Sequence, residues 1–285
     1  MIAITGANGN LGRATIDFLL QKVKANNITA IVRNPQRASS LEELGVNIRI
    51  ADYNDSYALE NAFKGVDHLV QISTTSIGQK GIDQENSTVT SAIKAGVSHI
   101  IYTSSVKPSS KAHFIAARQS IETENTIMSS QLSYTFFRNS LYMEALPALL
   151  GSMVDEGVIN YPAGKGKISF VSRMDIAEAI GKVALSPENH KNAIYEITGS
   201  HAYTFSELAE VINSVKKNGT AFCDIPLNDY REELEQYQVP AEVIDLLVSM
   251  AKGISSNEFS FVDEKLKTLL DRDPVTLNTY LRKTL

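Results

Sequence analysis

The sequence predicts an α/β fold, with a doubly wound parallel sheet of Rossmann type and a smaller, interleaved, mainly helical C-terminal part. Short apolar runs alternate with helical patterns of about 10 to 15 residues, which is typical of repeated β-α-β units. A glycine triplet follows the first apolar run directly, where the first strand-to-helix turn is expected. The chain has 285 residues, enough to bury a full core in one large domain with a small appendage.

The elements of the first half follow from these patterns. Apolar runs rich in β-branched residues predict strands, and apolar residues at helical spacing predict helices. The predicted strands cover 1–5, 28–34, 46–55, 67–74, 98–105 and 132–139, and the predicted helices cover 11–23, 56–63, 82–95 and 113–129.

The pattern changes after about residue 150. Residues 161–180 read as a glycine-rich loop, a short strand and a helix with Ser172 as its N-cap, and 193–199 read as a further strand. Thr204 and Glu207 have the spacing of a capping box, and the remainder is mainly helical. We therefore expect a nucleotide-binding domain over 1–150, with 165–200 returning to its sheet, and a substrate-side part over 151–285.

Composition excludes several classes of function. A net charge of −5 disfavours non-specific binding to nucleic acid or anionic membranes. No apolar run is long enough for a membrane span, and no signal-peptide pattern precedes the first strand. The lone cysteine, Cys223, indicates a reducing compartment, so a cytoplasmic location is expected. The five histidines lack metal-ligand spacing, so no metal is expected.

The glycine triplet predicts a dinucleotide-binding loop. In "ITGANGNLGRA" (4–14), Gly6 permits the tight turn, Gly9 lets the backbone approach a pyrophosphate, and Gly12 lets the helix pack close to the sheet. The amides of the helix N-terminus, with the loop residues Asn8, Asn10 and Leu11, would face the phosphates. The alternative is a glycine-rich turn without a ligand.

The end of the second strand predicts which dinucleotide binds. An NAD site places an acidic residue there to hold the ribose 2′-hydroxyl, but this strand ends "IVRN" with Arg33. A guanidinium can bind a 2′-phosphate bidentately, and Arg37 adds a second positive charge. NADP(H) is therefore favoured over NAD(H); the alternative for Arg33 is a solvated surface side chain.

Other strand ends predict further cofactor contacts. Asp52 and Tyr53 lie where such folds contact the adenine, although an Asx-turn after the strand explains Asp52 equally well. Ser73 and Thr74 end the fourth strand, so their backbones should line the cofactor crevice. Tyr102, near the end of the fifth strand, is a further candidate contact.

The usual apparatus for carbonyl reduction is absent from the sequence. Classical short-chain dehydrogenases carry a Tyr-x-x-x-Lys pair on the helix after the fifth strand, where the tyrosine donates a proton. Residues 113–129 contain neither a tyrosine nor a lysine. His113 is the one residue there that titrates near neutrality, which makes it a weak candidate acid; a surface or structural histidine is the commoner case.

Several segments together resemble the NmrA-like atypical branch of the short-chain dehydrogenase/reductase superfamily. Within it they are most similar to the bacterial NADPH-dependent quinone reductases of type 2 and to the triphenylmethane reductases. The resemblance covers nearly the whole chain and rests on "TGANGNLG", "AIVRNPQRAS", "ADYND", "AGVSHIIYTSS", "LSYTFFRNSLYMEAL", "SRMDIAEAI" and "YEITGSHAYTFSELAEVI".

The resemblance implies direct hydride transfer from NADPH to a quinone or similar conjugated small molecule. Such acceptors take a hydride readily and can take their proton from water, so binding geometry supplies most of the catalysis. It also implies that Phe137 and Asn139 approach the nicotinamide and that Tyr142 walls the acceptor pocket, unless Tyr142 only packs in the core. A homodimer is a further possibility. The alternatives are an NADP(H)-binding redox sensor without turnover, as the founding NmrA proteins are, and a reductase or isomerase of another small metabolite.

Overall fold

A computed structural model describes residues 1–217 and 219–285. The strands of these residues are β1 (Ile2–Ile4), β2 (Ile28–Val32), β3 (Asn47–Ile50), β4 (His68–Gln71), β5 (His99–Ser105), β6 (Ser133–Asn139), β7 (Val158–Asn160), β8 (Ala193–Ile197) and β9 (Ala221–Cys223). The α-helices are α1 (Asn10–Leu20), α2 (Ser39–Glu42), α3 (Ser56–Phe63), α4 (Gln79–Lys94), α5 (Ile115–Met128), α6 (Leu146–Leu150), α7 (Met153–Glu156), α8 (Arg173–Leu185), α9 (Phe205–Lys216), α10 (Leu227–Gln236), α11 (Ala241–Ser255), α12 (Lys265–Leu270) and α13 (Leu277–Thr284).

Seven strands form one sheet in the order β3-β2-β1-β4-β5-β6-β8, which confirms the predicted α/β class. The neighbours from β3 through β5 pair in parallel, with Ile2 opposite both Ile28 and His68. Strand order reverses direction between β1 and β4, because β2 and β3 lie on one side of β1 and β4 lies on the other. The crevice at the carboxyl ends of strands around such a switch point is where ligands bind in open α/β sheets.

Burial explains why the apolar runs become strands of this sheet. Every residue of β1, β2 and β5 is buried, as expected for parallel strands covered on both faces. The strands β2, β3 and β4 end earlier than predicted, at Val32, Ile50 and Gln71. The polar residues after these ends form turns and loops, and these loops carry much of the site described below.

Local capping agrees with the sequence in the C-terminal half. Thr204 and Glu207 form the capping box of α9: the Thr204 hydroxyl accepts from the Glu207 amide at 3.1 Å, and the Glu207 carboxylate accepts from the Thr204 amide at 2.8 Å. The helix α8 begins at Arg173, directly after the predicted cap Ser172. None of the described helices is long and apolar enough to cross a membrane.

The chain divides into two compact units at positions other than those expected. The first unit holds residues 1–104, 119–138 and 173–195, and the second holds 105–118, 139–172 and 196–285. The segments that follow β5 and β6 thus belong to the second unit rather than to a continuous domain over 1–150. That unit has its own apolar core, which includes Ile159, Phe170 and Phe205, and the small sheet β7-β9.

A cluster of histidines lies at the amino ends of the sheet strands in the first unit. The rings of His68 and His99 have centroids 6.3 Å apart, and His99 is 1 % exposed. Thr135 donates its hydroxyl to the His190 carbonyl at 2.7 Å, so the 2.9 Å contact with His99 Nε2 requires that nitrogen to be the donor. The Nδ1 atom of His99 is then a bare acceptor, and it has no partner among the described residues.

We expect His99 to make the folded protein sensitive to mild acid. Burial lowers the pKa of His99 to about 4, and the neighbouring His68, Lys191 and His190 act in the same direction against Glu188. An unfolded chain binds this proton near pH 6.5, so stability that is complete above that pH is lost as the pH falls towards 4. The loss is about 3 kcal/mol at roughly 1.4 kcal/mol per pKa unit.

Urea unfolding between pH 7.5 and 4 measures this dependence. His99→Gln keeps an amide donor for Thr135 and removes the titration, so its free energy of unfolding should vary less over this range. An equally steep dependence in His99→Gln would contradict the assignment.

Candidate dinucleotide-binding site

The glycine loop forms a cradle at the carboxyl end of β1. Gly6 has φ +61, and its carbonyl accepts from the Gly9 amide at 2.8 Å. The helix α1 then starts at Asn10, and its cap residue Gly9 provides no side chain to bind the first amides. The first turn of α1 also carries no acidic residue. Its amides and the positive end of the helix dipole are therefore available to an anion such as a phosphate.

A groove of about 310 Å³ opens beside this cradle, within the first unit. The ends of β1, β2 and β4 and the turn after β3 provide its walls, in the region where parallel strands leave the sheet. Its lining residues are Gly6, Ala7, Asn8, Gly9, Ile31, Val32, Arg33, Asn34, Arg37, Ala51, Asp52, Tyr53, Ile72, Ser73, Thr74, Thr75, Ser76 and Gln84. The structure thus brings together most of the predicted cofactor residues.

Two arginines, Arg33 and Arg37, line the groove. The guanidinium groups of Arg33 and Arg37 make no ion pair and no hydrogen bond among the described residues. Arg13, by contrast, binds Asp17 at 2.8 Å and Ser40 at 2.7 Å. Asn8 donates to the Asn34 carbonyl at 3.2 Å and so links the glycine loop to the end of β2. The groove thus combines positive charge that has no partner among the described residues with the uncapped amides at the start of α1.

Asp52 and Tyr53 line the groove in different ways. Asp52 Oδ1 accepts from the Asn54 amide at 2.8 Å and from Asn54 Nδ2 at 2.6 Å, so the Asx-turn exists and the residue also faces the groove. Tyr53 donates its hydroxyl to the Ile72 carbonyl at 3.1 Å. Burial raises the pKa of the Tyr53 phenol well above its usual range, so the group stays neutral. Tyr53 thus provides a fixed aromatic wall rather than a titrating group.

The loop after β4 is held by side chains from the neighbouring elements. The Ser73 amide donates to Thr103 Oγ1 at 2.9 Å, and the Thr74 amide donates to Glu85 Oε1 at 3.1 Å. Glu85 also accepts from Tyr102 at 2.7 Å and from Thr123 at 2.6 Å. Burial raises the pKa of the Glu85 carboxyl, and these hydroxyl donors oppose the shift. Sequence reasoning missed Thr75, Ser76 and Gln84 in this part of the site.

Several predicted contacts do not line the groove. Tyr102 is fully buried with its hydroxyl on Glu85, because β5 is covered on both faces. Phe137 is also fully buried, with its ring centroid 6.0 Å from that of Tyr195. In the first turns of α1, Asn10 is exposed, while Leu11 and Gly12 are buried. Gly12 instead permits the close approach of α1 to the loop.

The remaining predicted residues lie in the second unit. Asn139 is 5 % exposed, donates from Nδ2 to the Tyr142 hydroxyl at 3.4 Å, and has no partner for Oδ1 among the described residues. His113 is half-buried, and its amide donates to Glu258 Oε1 at 2.6 Å. The roles of Asn139 and Tyr142 at the nicotinamide and acceptor, and of His113 as an acid, stay predictions.

The fold and the groove define a dinucleotide-binding α/β protein. A model of the NmrA-like family matches residues 1–281, and the chain belongs to that family, as the resemblance predicted. It is 34% identical to quinone oxidoreductase 2 of Escherichia coli over 276 residues, which cover 97% of this chain and 95% of that protein.

Solved structures agree with this assignment. An NADPH-dependent quinone oxidoreductase from Escherichia coli, complexed with NADPH, has a TM-score of 0.94 at 33% identity, covering 100% of this chain and 99% of that one. The Citrobacter sp. triphenylmethane reductase complexed with NADP(H) has a TM-score of 0.93 at 32% identity and covers 100% of both chains.

A side chain at position 12 should destroy the cradle. A Cβ on Gly12 would overlap the Gly6 carbonyl oxygen and would lie 2.9 Å from the Gly6 carbonyl carbon. Since these are backbone atoms, α1 would have to move away from the loop. We expect Gly12→Ala to lose about 2 kcal/mol of stability and most of its dinucleotide affinity, measured by thermal unfolding and calorimetry.

Gly9→Ala is the matched control for stability. Its φ of −82 suits alanine, and its Cβ would lie 3.1 Å from the same Gly6 oxygen. It should be much less destabilised than Gly12→Ala, because the Gly6 oxygen has to shift by only a few tenths of an ångström. If Gly12→Ala were as stable as Gly9→Ala, the close-packing role of Gly12 would be wrong.

Proposed function

We propose that this protein is an NADPH-dependent oxidoreductase that transfers a hydride to a quinone or a similarly electron-poor conjugated molecule. The observation that carries the cofactor assignment is the pair of guanidinium groups, Arg33 and Arg37, which line the same groove as the glycine loop and have no partner within 1–217 and 219–285. An NAD site offers no phosphate to this charge, whereas the 2′-phosphate of NADPH matches it. The similarity to two NADP(H)-binding reductases over the whole chain supports the same assignment.

The residues of the first unit fit each part of the cofactor. The amides of α1 and the loop around Gly9 would bind the pyrophosphate, while Arg33 and Arg37 would bind the 2′-phosphate. Asp52 and Tyr53 would flank the adenine. When bound, NADPH supplies the hydride; the protein's part is to hold it in one orientation and bring the acceptor to it.

The composition of α5 supports this acceptor class. This helix has the sequence "IAARQSIETENTIM", with neither a tyrosine nor a lysine to act as the usual acid pair. A carbonyl that needs a proton from the enzyme during hydride transfer would react slowly here. A quinone forms a stabilised hydroquinone anion, which can take its proton from water.

The deciding experiment is an assay of NADPH oxidation with a panel of quinones. The reaction is monitored by the loss of the near-ultraviolet absorbance of NADPH. Equilibrium binding of NADPH and NADP⁺ is measured in parallel. Turnover with at least one quinone supports the proposal. No turnover with any acceptor, combined with strong discrimination between the two redox states, would favour the redox-sensor alternative.

We also infer a cytoplasmic location and a homodimer, both of which stay predictions. The lone Cys223 is exposed as a free thiol, which suits a reducing compartment. Fractionation of the source cells tests the location, and light scattering of the purified protein tests the dimer.

A further inference from the structure

Two loops that line the groove are joined through one buried side chain. The first loop follows β3 and contains Asp52 and Asn54; the second follows β4 and contains Ser73, Thr74, Thr75 and Ser76. Gln84 lies on α4, is 6 % exposed, and itself lines the groove. Its amide contacts both loops.

The two ends of the Gln84 amide have different partners. Its oxygen accepts from the Thr74 hydroxyl at 2.7 Å, and its nitrogen donates to Asn54 Oδ1 at 3.0 Å. Asn54 in turn donates to Asp52 Oδ1 at 2.6 Å. A continuous chain of hydrogen bonds thus runs from Thr74 through Gln84 to Asp52.

Thr74 is fixed by two consecutive residues of α4. Its hydroxyl donates to Gln84, its amide donates to Glu85 at 3.1 Å, and its hydroxyl oxygen accepts from the Ser76 amide at 3.2 Å. Glu85 is itself 1 % exposed and anchored by Tyr102 and Thr123, so it cannot follow a moving loop. The loop after β4 therefore has its position set by α4.

We propose that Gln84 is a positioning residue that sets the spacing between the two loops and thereby fits the groove to the dinucleotide. A glutamine amide carries an acceptor and a donor on separate atoms, so Gln84 accepts from Thr74 with its oxygen and donates to Asn54 with its nitrogen at the same time. The inference rests on the proposed cofactor function. The role of Gln84 differs from that of Arg33. Arg33 would bind the 2′-phosphate, which only NADPH carries, whereas the spacing of the two loops affects the part of the dinucleotide that NADPH and NADH share.

The test measures NADPH and NADH affinities of Gln84→Met, which keeps the length of the side chain and removes both hydrogen bonds. We expect both affinities to fall about tenfold, with their ratio unchanged. In turnover assays the KM for NADPH should rise about tenfold, while kcat at saturating NADPH changes little. Gln79→Met, at an exposed position of the same helix, is the matched control and should bind like wild type.

Thr74 variants keep the test decisive if Gln84→Met unfolds. Thr74→Val removes the hydroxyl and should weaken binding like Gln84→Met, whereas Thr74→Ser retains it and should bind clearly more tightly than Thr74→Val. The double variant Gln84→Met/Thr74→Val should lose little more dinucleotide affinity than either single variant, because both substitutions break the hydrogen bond between Thr74 and Gln84.

Unchanged affinities in a folded Gln84→Met, or equal binding by Thr74→Val and Thr74→Ser, would overturn this inference while leaving the cofactor assignment intact. A wild-type protein that binds neither dinucleotide would overturn the proposed function and the inference with it.

Discussion

Arg33→Ala is expected to weaken NADPH binding by about ten- to a hundredfold and to leave NADH binding nearly unchanged. A hydrogen bond to a charged group contributes roughly 1.5 to 3 kcal/mol, which corresponds to this range of affinity. The effect is specific because Arg33 lines the groove and forms no ion pair in the part of the chain that the structure describes, so its charge remains available to the 2′-phosphate. Calorimetric titration with each dinucleotide gives the ratio directly.

Two further variants separate geometry from charge in this experiment. Arg33→Lys keeps the charge but loses the planar fork of donors, so its NADPH affinity should lie between those of wild type and Arg33→Ala. Arg13→Ala removes a cation of α1 that is already paired with Asp17 and does not line the groove, and it should leave the ratio of NADPH to NADH affinity unchanged. A ratio that moves equally in Arg33→Ala and Arg13→Ala would show a general field effect and would reject the 2′-phosphate assignment.

Much of this site could be predicted from the sequence because its residues lie at or near the ends of predicted strands. Gly6 and Gly9 follow a strand and precede a helix, and Arg33 and Asp52 come just after apolar runs. In a parallel sheet such positions are brought to one edge by topology alone. The predicted residues that line the groove lie there because the parallel topology brings the ends of their strands together.

Gln84 lacked any such signal. It lies within α4, five residues after the helix starts at Gln79, and its neighbours in sequence are ordinary helical residues. Its role comes from the packing of α4 beside two loops that are distant along the chain. Tyr102 shows the opposite error: its place near a strand end predicted a cofactor contact, but β5 is buried along its whole length, and the tyrosine turns to Glu85.

The boundaries of the two units were also beyond sequence reasoning. Residues 105–118 and 139–172 continue directly from strands, with no linker to mark where either segment begins. Their placement depends on contacts with the last ninety or so residues of the chain, such as Glu258 with the amides of His113 and Phe114 at 2.6 and 3.1 Å. Contacts between residues so far apart along the chain produce no periodic pattern in the sequence.

The second large effect concerns stability rather than binding, and it arises from a buried ion pair in the first unit. Glu124 on α5 is fully buried, and Arg138 on β6 binds both of its oxygens, at 3.0 and 2.6 Å. Ser104 donates to the same carboxylate at 2.6 Å. Removing one partner of a buried pair leaves a charge without compensation, which costs about 3 kcal/mol or more.

Arg138→Met should therefore lower the free energy of unfolding by about 3 kcal/mol, measured by urea titration at neutral pH. Glu124→Gln should cost less, because Arg138 is partly exposed, at 20 %, and can be hydrated. The double variant Glu124→Gln/Arg138→Met should be more stable than Arg138→Met alone, since a neutral amide still accepts from Ser104 and the buried Glu124 charge is gone. Were the double variant no more stable than Arg138→Met, the loss would come from packing of the arginine stem and not from the stranded carboxylate.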